Sequence, residues 1–226
     1  MLTSLLNGFK TIAPSIPYII NGIWVTLGIA LVAAIIGFVL GTLLSLCKIG
    51  HIKVLNGFAR GYTSLFRGTP LIMQLALAYF AIPQLLGLSN VNAFLCAVLT
   101  FGLNSGAYMS EIIRSGINAV DKGQFEAASA LGVRYWPMMK DIILPQAIKN
   151  ILPAMMNEFI TLTKDSAIVS TISVTDLMRR SQIVSANYFL YFPPMFVAFI
   201  LYYIVVMILT FLGGWLERRL NRSDQS

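Results

Sequence analysis

Long stretches of this chain carry no charged residue, and they set its organisation. The first runs from Thr11 to Cys47, with Pro14 and Pro17 near its start. A membrane-crossing helix needs about 20 apolar residues, so one long helix is expected between Ile19 and Leu46. The second, Gly68 to Ser110, is too long for one span and is broken by Pro83 and by Gly87-Leu88-Ser89-Asn90, which predicts two helices. The third, Ile148 to Thr171, is apolar overall but carries Glu158, Lys164 and Asp165. The fourth, Phe192 to Leu216, predicts another span. Five spans are expected. Ahead of them Leu2, Leu5, Leu6, Phe9 and Ile12 fall at helical spacing, which suggests a short amphipathic helix on the membrane surface; a disordered terminus is the other reading.

Composition points the same way. Hydrophobic residues fill 57% of the 226 positions and charged residues 11%, with mean hydropathy +0.77. Soluble domains are nearer a quarter charged, so the partner solvent is a bilayer. The net charge of +7 raises nucleic acid as a partner, but the basic residues sit beside apolar spans, where anionic lipid and the positive-inside bias place them. Lys48, Lys53, Arg60 and Arg67 follow the first span with no acid among them. Arg114, Lys122, Arg134, Lys140 and Lys149 lie between the third and fourth spans, and Arg218, Arg219 and Arg222 at the end. The opposite side holds Lys10, Arg179 and Arg180. An outer N-terminus and an inner, cytoplasmic C-terminus follow, and an odd number of spans agrees.

The first residues lack a signal-peptide pattern: no basic residue precedes Leu2, Leu5 and Leu6, the first lysine is Lys10, and no small-residue cleavage pattern follows. Cys47 and Cys96 lie in apolar segments without metal-ligand spacing, so neither a disulfide nor a metal site is expected. Within the first span, Ala33, Gly37, Gly41 and Ser45 recur every fourth residue, which lets backbones approach closely in lipid. That stripe fits a dimer seam or tight packing within the subunit, and the spacing assigns neither.

The segment between the third and fourth spans is the most informative. Gln124 to Leu131 predicts a short helix rich in small residues (Ala127, Ala128, Ser129 and Ala130), and Gly132 sits where it would end. Trp136-Pro137 starts a second short helix, and Ile142, Ile143, Leu144 and Pro145 lead back to the membrane. Val133, Tyr135, Met138 and Met139 are expected to hold this helix-turn-helix in shape. A projecting small-residue helix suits insertion into a partner's groove; a compact linker is the physical alternative.

Glu126-Ala127-Ala128, then Gly132, then Ile142, Leu144 and Pro145 resemble the EAA loop of ABC importer permeases, at matching spacing. Phe66-Arg67-Gly68-Thr69-Pro70-Leu71 with Gln74, Asn104 to Glu111 with Arg114, Asp121-Lys122-Gly123, Asn157-Glu158-Phe159 and Lys164-Asp165-Ser166 resemble the polar amino acid branch, which includes histidine, arginine, glutamine and cystine permeases. Ser115-Gly116-Ile117 and Ser166-Ala167-Ile168 depart from its usual residues.

The resemblance implies an all-α integral membrane bundle of about five helices, the type I importer permease (MetI-like) fold. It would span residues 19–217, with a coupling loop at 121–147, an external amphipathic segment at 1–18 and a cytoplasmic tail at 218–226. It implies a permease, not an enzyme, that moves a polar amino acid across the bacterial cytoplasmic membrane by alternating access. The implied partners are a dimer of ATPase subunits, a second permease subunit (identical or a close paralogue) and an external amino-acid-binding protein. ATP and Mg belong to the ATPase subunits, and no cofactor to this chain. Glu126, Ala127, Ala128, Ala130, Leu131 and Gly132 would carry the docking: a charged contact from Glu126, close approach at the alanines, a sharp turn at Gly132. The chain has no GxxxxGK[ST] phosphate loop, so nucleotide chemistry must be a partner's.

Charges inside spans cost several kcal/mol unless paired or hydrated. Glu158 and Asp165 are two helical turns apart, about 10 Å along one face, with Thr161 and Leu162 between them. That face is expected to line the pathway, the acids meeting an ammonium group; pairing with Lys164 is the structural alternative. Asn104, Ser105 and Gln74 are further polar candidates, each able instead to bond between helices. Glu111 and Arg114 have the spacing of an ion pair, and His51 is given no catalytic role. An ATP-independent channel would explain the spans but not the EAA spacing. A membrane enzyme finds no HExxH or GxSxG pattern to rest on.

Overall fold

A computed structural model describes residues 2–50 and 52–221. The expectations for His51 and Arg222 lie outside the described residues. Helix α1 (Leu2–Ile12) leads through a tight turn at Ala13–Ser15 and a short α2 (Ile16–Ile20) into α3 (Gly22–Ile49), the long helix expected of the first span. Pro14 and Pro17 are each the second residue of a short helical piece, in the first turn, where their missing N–H costs nothing. The amphipathic N-terminal helix forms, and part of its apolar face packs on protein while Leu6 stays exposed. Phe9 meets the rings of Phe192 and Phe196 edge-on at 6.3 and 6.0 Å, and Ile12 is fully buried.

The basic stretch after the first span, holding Lys53, Arg60 and Arg67, is a helix, α4 (Lys53–Gly68). At Gly68-Thr69-Pro70 the chain bends by 101° into α5 (Leu71–Ala76), which continues through a π turn (Leu77–Ala81) into α6 (Ile82–Leu86). The expected second span is therefore short and belongs to a bent pair. Its end at Gly87 (φ +65) matches the predicted turn. Helix α7 (Ala93–Asn118) is the third span and overruns the uncharged stretch by two turns, taking in Glu111 and Arg114.

Helix α8 (Lys122–Ala130) and the short α9 (Tyr135–Pro137) form the projecting loop. No break separates α9 from the fourth span. A π segment, Met138–Ile143, carries it into α10 (Leu144–Asp165), with Pro145 in that helix's first turn. The span thus starts and stops earlier than its apolar stretch, and Ser166–Ile172 winds on as a 3₁₀ turn. Helices α11 (Leu177–Tyr188) and α12 (Phe192–Asn221) complete the described chain. By length and composition α3, α7 and α12 can each cross a membrane, as can the bent pair α4 to α6. Helix α10 has the length but carries four charged residues, Lys149, Glu158, Lys164 and Asp165.

The centre of the bundle is α3 against α7, the most extensive helix contact. The stripe Ala33, Gly37, Gly41 and Ser45 is wholly buried there. A Cβ on Gly37 would lie 2.7 Å from that of Ser105, and one on Gly41 2.5 Å from that of Met109. Close packing within the chain, rather than an exposed seam, is what the small residues serve.

Candidate functional site: projecting loop and polar face

The projecting loop is built to hold one helix rigidly away from the bundle. Asp121 caps α8, its Oδ1 accepting from the Gly123 amide at 2.6 Å. At the far end Gly132 adopts φ +71, the Val133 amide donates to Ala128 O at 3.0 Å, and the Gly132 amide to Ser129 O at 3.0 Å. These are the two bonds of a Schellman cap, which needs a left-handed residue at the glycine position. Beneath α8 an apolar cluster of Ile113, Val120, Ala128, Met138, Ile143, Ala147 and Ile151 ties it to the end of α7 and the start of α10.

Two of the expected roles change. Ala128 is 3% exposed and faces this base, so it seats α8 on the bundle instead of offering a contact outward. Tyr135 was expected to help hold the loop, but it points out beside Trp136, their rings 5.9 Å apart. Val133, Met138 and Met139 do pack inward. Left outward are Glu126, Ala127, Ala130 and Leu131 (82% exposed), together with Tyr135 and Trp136. Helical periodicity without a known base could not tell which alanine turned inward.

The polar face of the bundle divides into two groups. Gln74 and Asn104 clamp the α4–α5 corner. Asn104 Nδ2 donates to Phe66 O and to Gln74 Oε1, both at 3.0 Å; Gln74 Nε2 donates to Phe66 O at 2.8 Å and to Thr69 Oγ1 at 2.9 Å. They satisfy carbonyls freed by the bend. Glu158 turns to α7, its Oε1 accepting from the buried Ser105 Oγ at 2.9 Å. Asp165 is half-buried and pairs with no cation among the described residues, and neighbouring Lys164 points outward. Thr161 is exposed and its hydroxyl donates to Asn157 O at 3.0 Å. Leu162, expected on the same face, is 2% exposed and belongs to the central core.

Arg67 makes a contact that its position in the sequence did not announce. It is exposed, and its guanidinium stands 5.1 Å over the Tyr108 ring of α7. The only signal was its place one residue before the Gly-Thr-Pro break. The Glu111–Arg114 pair forms at 2.8 Å as its spacing predicts. A second partner was not foreseen: Lys48 Nζ lies 2.7 Å from Glu111 Oε1 and 2.7 Å from Ser110 Oγ, its side chain 3% exposed. Both thiols, Cys47 and Cys96, are free.

Residues 37–222 match the model of the family described as the inner membrane component of binding-protein-dependent transport systems. The arginine transport system permease protein ArtQ of Bacillus subtilis (strain 168) is 53% identical over 216 residues, covering 96% of this chain and 98% of the relative. A solved structure of an amino acid ABC transporter with histidines superposes with a TM-score of 0.89 at 40% identity, over 93% of this chain and 98% of that one. An inward-facing MetNI methionine ABC transporter shares the fold, with a TM-score of 0.72 at 23% identity over 89% and 95% of the two chains. A bundle of apolar helices that carries a capped, outward-facing EAA helix therefore has its place: the chain belongs to the family of inner membrane components of binding-protein-dependent transport systems, and is a permease subunit of an ABC importer, a transport subunit rather than an enzyme.

Proposed function

We propose that this permease carries a polar amino acid inward across the bacterial cytoplasmic membrane by alternating access. Its domain runs over residues 19–217, with an external segment at 1–18 and a cytoplasmic tail at 218–226. The N-terminus lies outside and the C-terminus inside, and Lys48, Lys53, Arg60, Lys122, Arg134 and Lys140 lie on the inner side. Two permease subunits, identical or closely related, enclose the pathway, and an external binding protein delivers substrate. Two ATPase subunits, which hold ATP and Mg, dock beneath. The amino acid class is supported by what the relatives carry, arginine for one and an amino acid ABC transporter for the other.

The observation that carries the coupling role is an exposed face on a rigid base. Glu126, Ala127, Ala130 and Leu131 face outward, while Ala128 sits in an apolar cluster continuous with α10. A push on α8 passes into α10 because packed side chains have little room to yield. Gly132 lets the chain reverse without loosening α8. On α10 that stroke would move Glu158, Thr161 and Asp165. An amino acid offers an ammonium and a carboxylate; Glu158 and Asp165 suit the first, and Arg67 suits the second. Gln74 and Asn104 shape the corner that holds Arg67.

Leu131→Asp combined with Glu126→Lys tests this. Co-purification with the ATPase subunit and substrate-stimulated ATP hydrolysis should both fall at least tenfold, with the thermal stability of the isolated permease unchanged. Assembly and stimulation at the unaltered level would remove the loop from the coupling path.

A further inference from the structure

Between the ends of α3 and α7 and the middle of α4 lies a cavity of about 500 Å³ lined by Lys48, Ile49, Arg60, Glu111, Arg114 and Asn118. Three cationic groups face one carboxylate, a surplus of two positive charges. The carboxylate is used up within the cluster. Its Oε1 accepts from Lys48 Nζ at 2.7 Å, and its Oε2 accepts from Arg114 Nη2 at 2.8 Å and Nε at 3.0 Å. Glu111 thus fixes two cations and neutralises one. Arg114 keeps Nη1 beyond that bidentate grip. Arg60 is exposed and in no ion pair among the described residues. Its helix is anchored beside the cavity by Asn56, whose Nδ2 donates to Lys48 O at 2.6 Å.

Guanidinium groups with spare N–H donors match phosphate oxygens in charge and geometry. The surroundings select the form of the phosphate. The cavity lies where α3 ends; Ile49, one of its lining residues, is 41% exposed, and Ile52, Val54 and Phe58 are exposed on the chain that continues from it into α4. A cationic recess at the end of a membrane helix, beside an exposed apolar stretch of chain, suits a phosphate with acyl chains attached. We infer that the cavity binds the phosphate of an anionic phospholipid, with Arg60 and Arg114 as the donors and Glu111 and Lys48 as the frame that aims Arg114. A surplus of two charges favours a lipid with two phosphodiester groups, cardiolipin, over one with a single group. The inference rests on the chain's membrane placement and not on its substrate or its coupling.

The test uses the assembled importer in nanodiscs of phosphatidylcholine with and without cardiolipin, with retained lipid counted by native mass spectrometry after release. Arg60→Gln is the informative variant, because Arg60 holds no structural ion pair among the described residues. Retained cardiolipin should fall about tenfold or more, as loss of a charge-assisted contact requires. Arg60→Lys, which keeps the charge without the fork, should fall between. Retention by Arg60→Gln at the unaltered level would overturn the assignment. So would a thermal shift of the cardiolipin-free complex with inorganic phosphate alone as large as that with cardiolipin, since the cavity would then be a free-phosphate site.

Discussion

The ion pair between Lys48 and Glu111 joins the ends of α3 and α7 across 63 residues of sequence, and its removal should be felt. Glu111→Gln keeps the shape but leaves the Lys48 ammonium, in a side chain 3% exposed, facing a neutral amide and the Ser110 hydroxyl. Breaking a buried pair on one side costs about 3–5 kcal/mol. The Glu111 side chain is 25% exposed and glutamine still offers an acceptor, so we discount this to about 2–3 kcal/mol. At about 2–4 °C per kcal/mol for a chain of this size, the unfolding temperature should drop by about 4–12 °C. The assay is loss of monodisperse protein on heating, with all variants scanned at one rate because such unfolding is often irreversible. Lys48→Met with Glu111→Gln removes the stranded charge and should recover most of the loss. An unchanged unfolding temperature in Glu111→Gln, or a double variant whose deficit equals the sum of the two single ones, would refute the reasoning.

Further outcomes follow from close contacts and buried charges. Gly22→Ala places a Cβ 2.6 Å from Leu177 Cα and 2.7 Å from its amide nitrogen, backbone that cannot step aside; it should cost about 1–3 kcal/mol in thermal stability. Gly28→Ala, with nothing within 4 Å, should be neutral by the same measurement. Asp165→Asn should raise the amino acid concentration that half-stimulates ATP hydrolysis in the reconstituted importer, and an unchanged response would remove Asp165 from the pathway. Asp176, outside the spans, caps α11 by accepting from the Arg179 amide at 2.8 Å and takes a bond from Tyr202 Oη at 3.1 Å. Burial holds its carboxyl up at about 6, above the ordinary 3.8, against these bonds, which lower it. The folded chain therefore binds the proton more tightly than the unfolded one. Its stabilising contribution is complete below pH 3.8 and is lost as pH rises through about 6. Asp176→Asn, still a good cap, should flatten the pH dependence of the unfolding temperature over that window. A slope equal to that of the unaltered protein would assign the dependence to another group.

Sequence by itself determined what a segment of the chain can decide alone. Long apolar runs such as Thr11–Cys47 and Phe192–Leu216 become helices that can span a bilayer, because no other structure of that length satisfies its backbone in hydrocarbon. Gly132 ends α8 and Gly87 ends α6, because a left-handed turn favours glycine over residues that carry a Cβ. The Glu111–Arg114 pair was legible for the same reason, three residues apart on one helix. The EAA-like loop was legible as a motif, and so was its family.

Tertiary structure decided everything that depends on which way a helix is turned against its neighbours. Packing on α7 and α10 sends Ala128 inward and leaves Ala127 out, although both are small and adjacent. Gln74 and Asn104 become the clamp of a bend because their corner, 30 residues apart in sequence, closes on the carbonyl of Phe66. Arg67 meets Tyr108 because α4 is a helix that carries it alongside α7. Lys48 finds Glu111 only because the small-residue stripe of α3 lets the two backbones meet. Local pattern fixes a helix and its ends. The partner of a side chain is set by the rotation and depth of two helices together, which no single segment encodes.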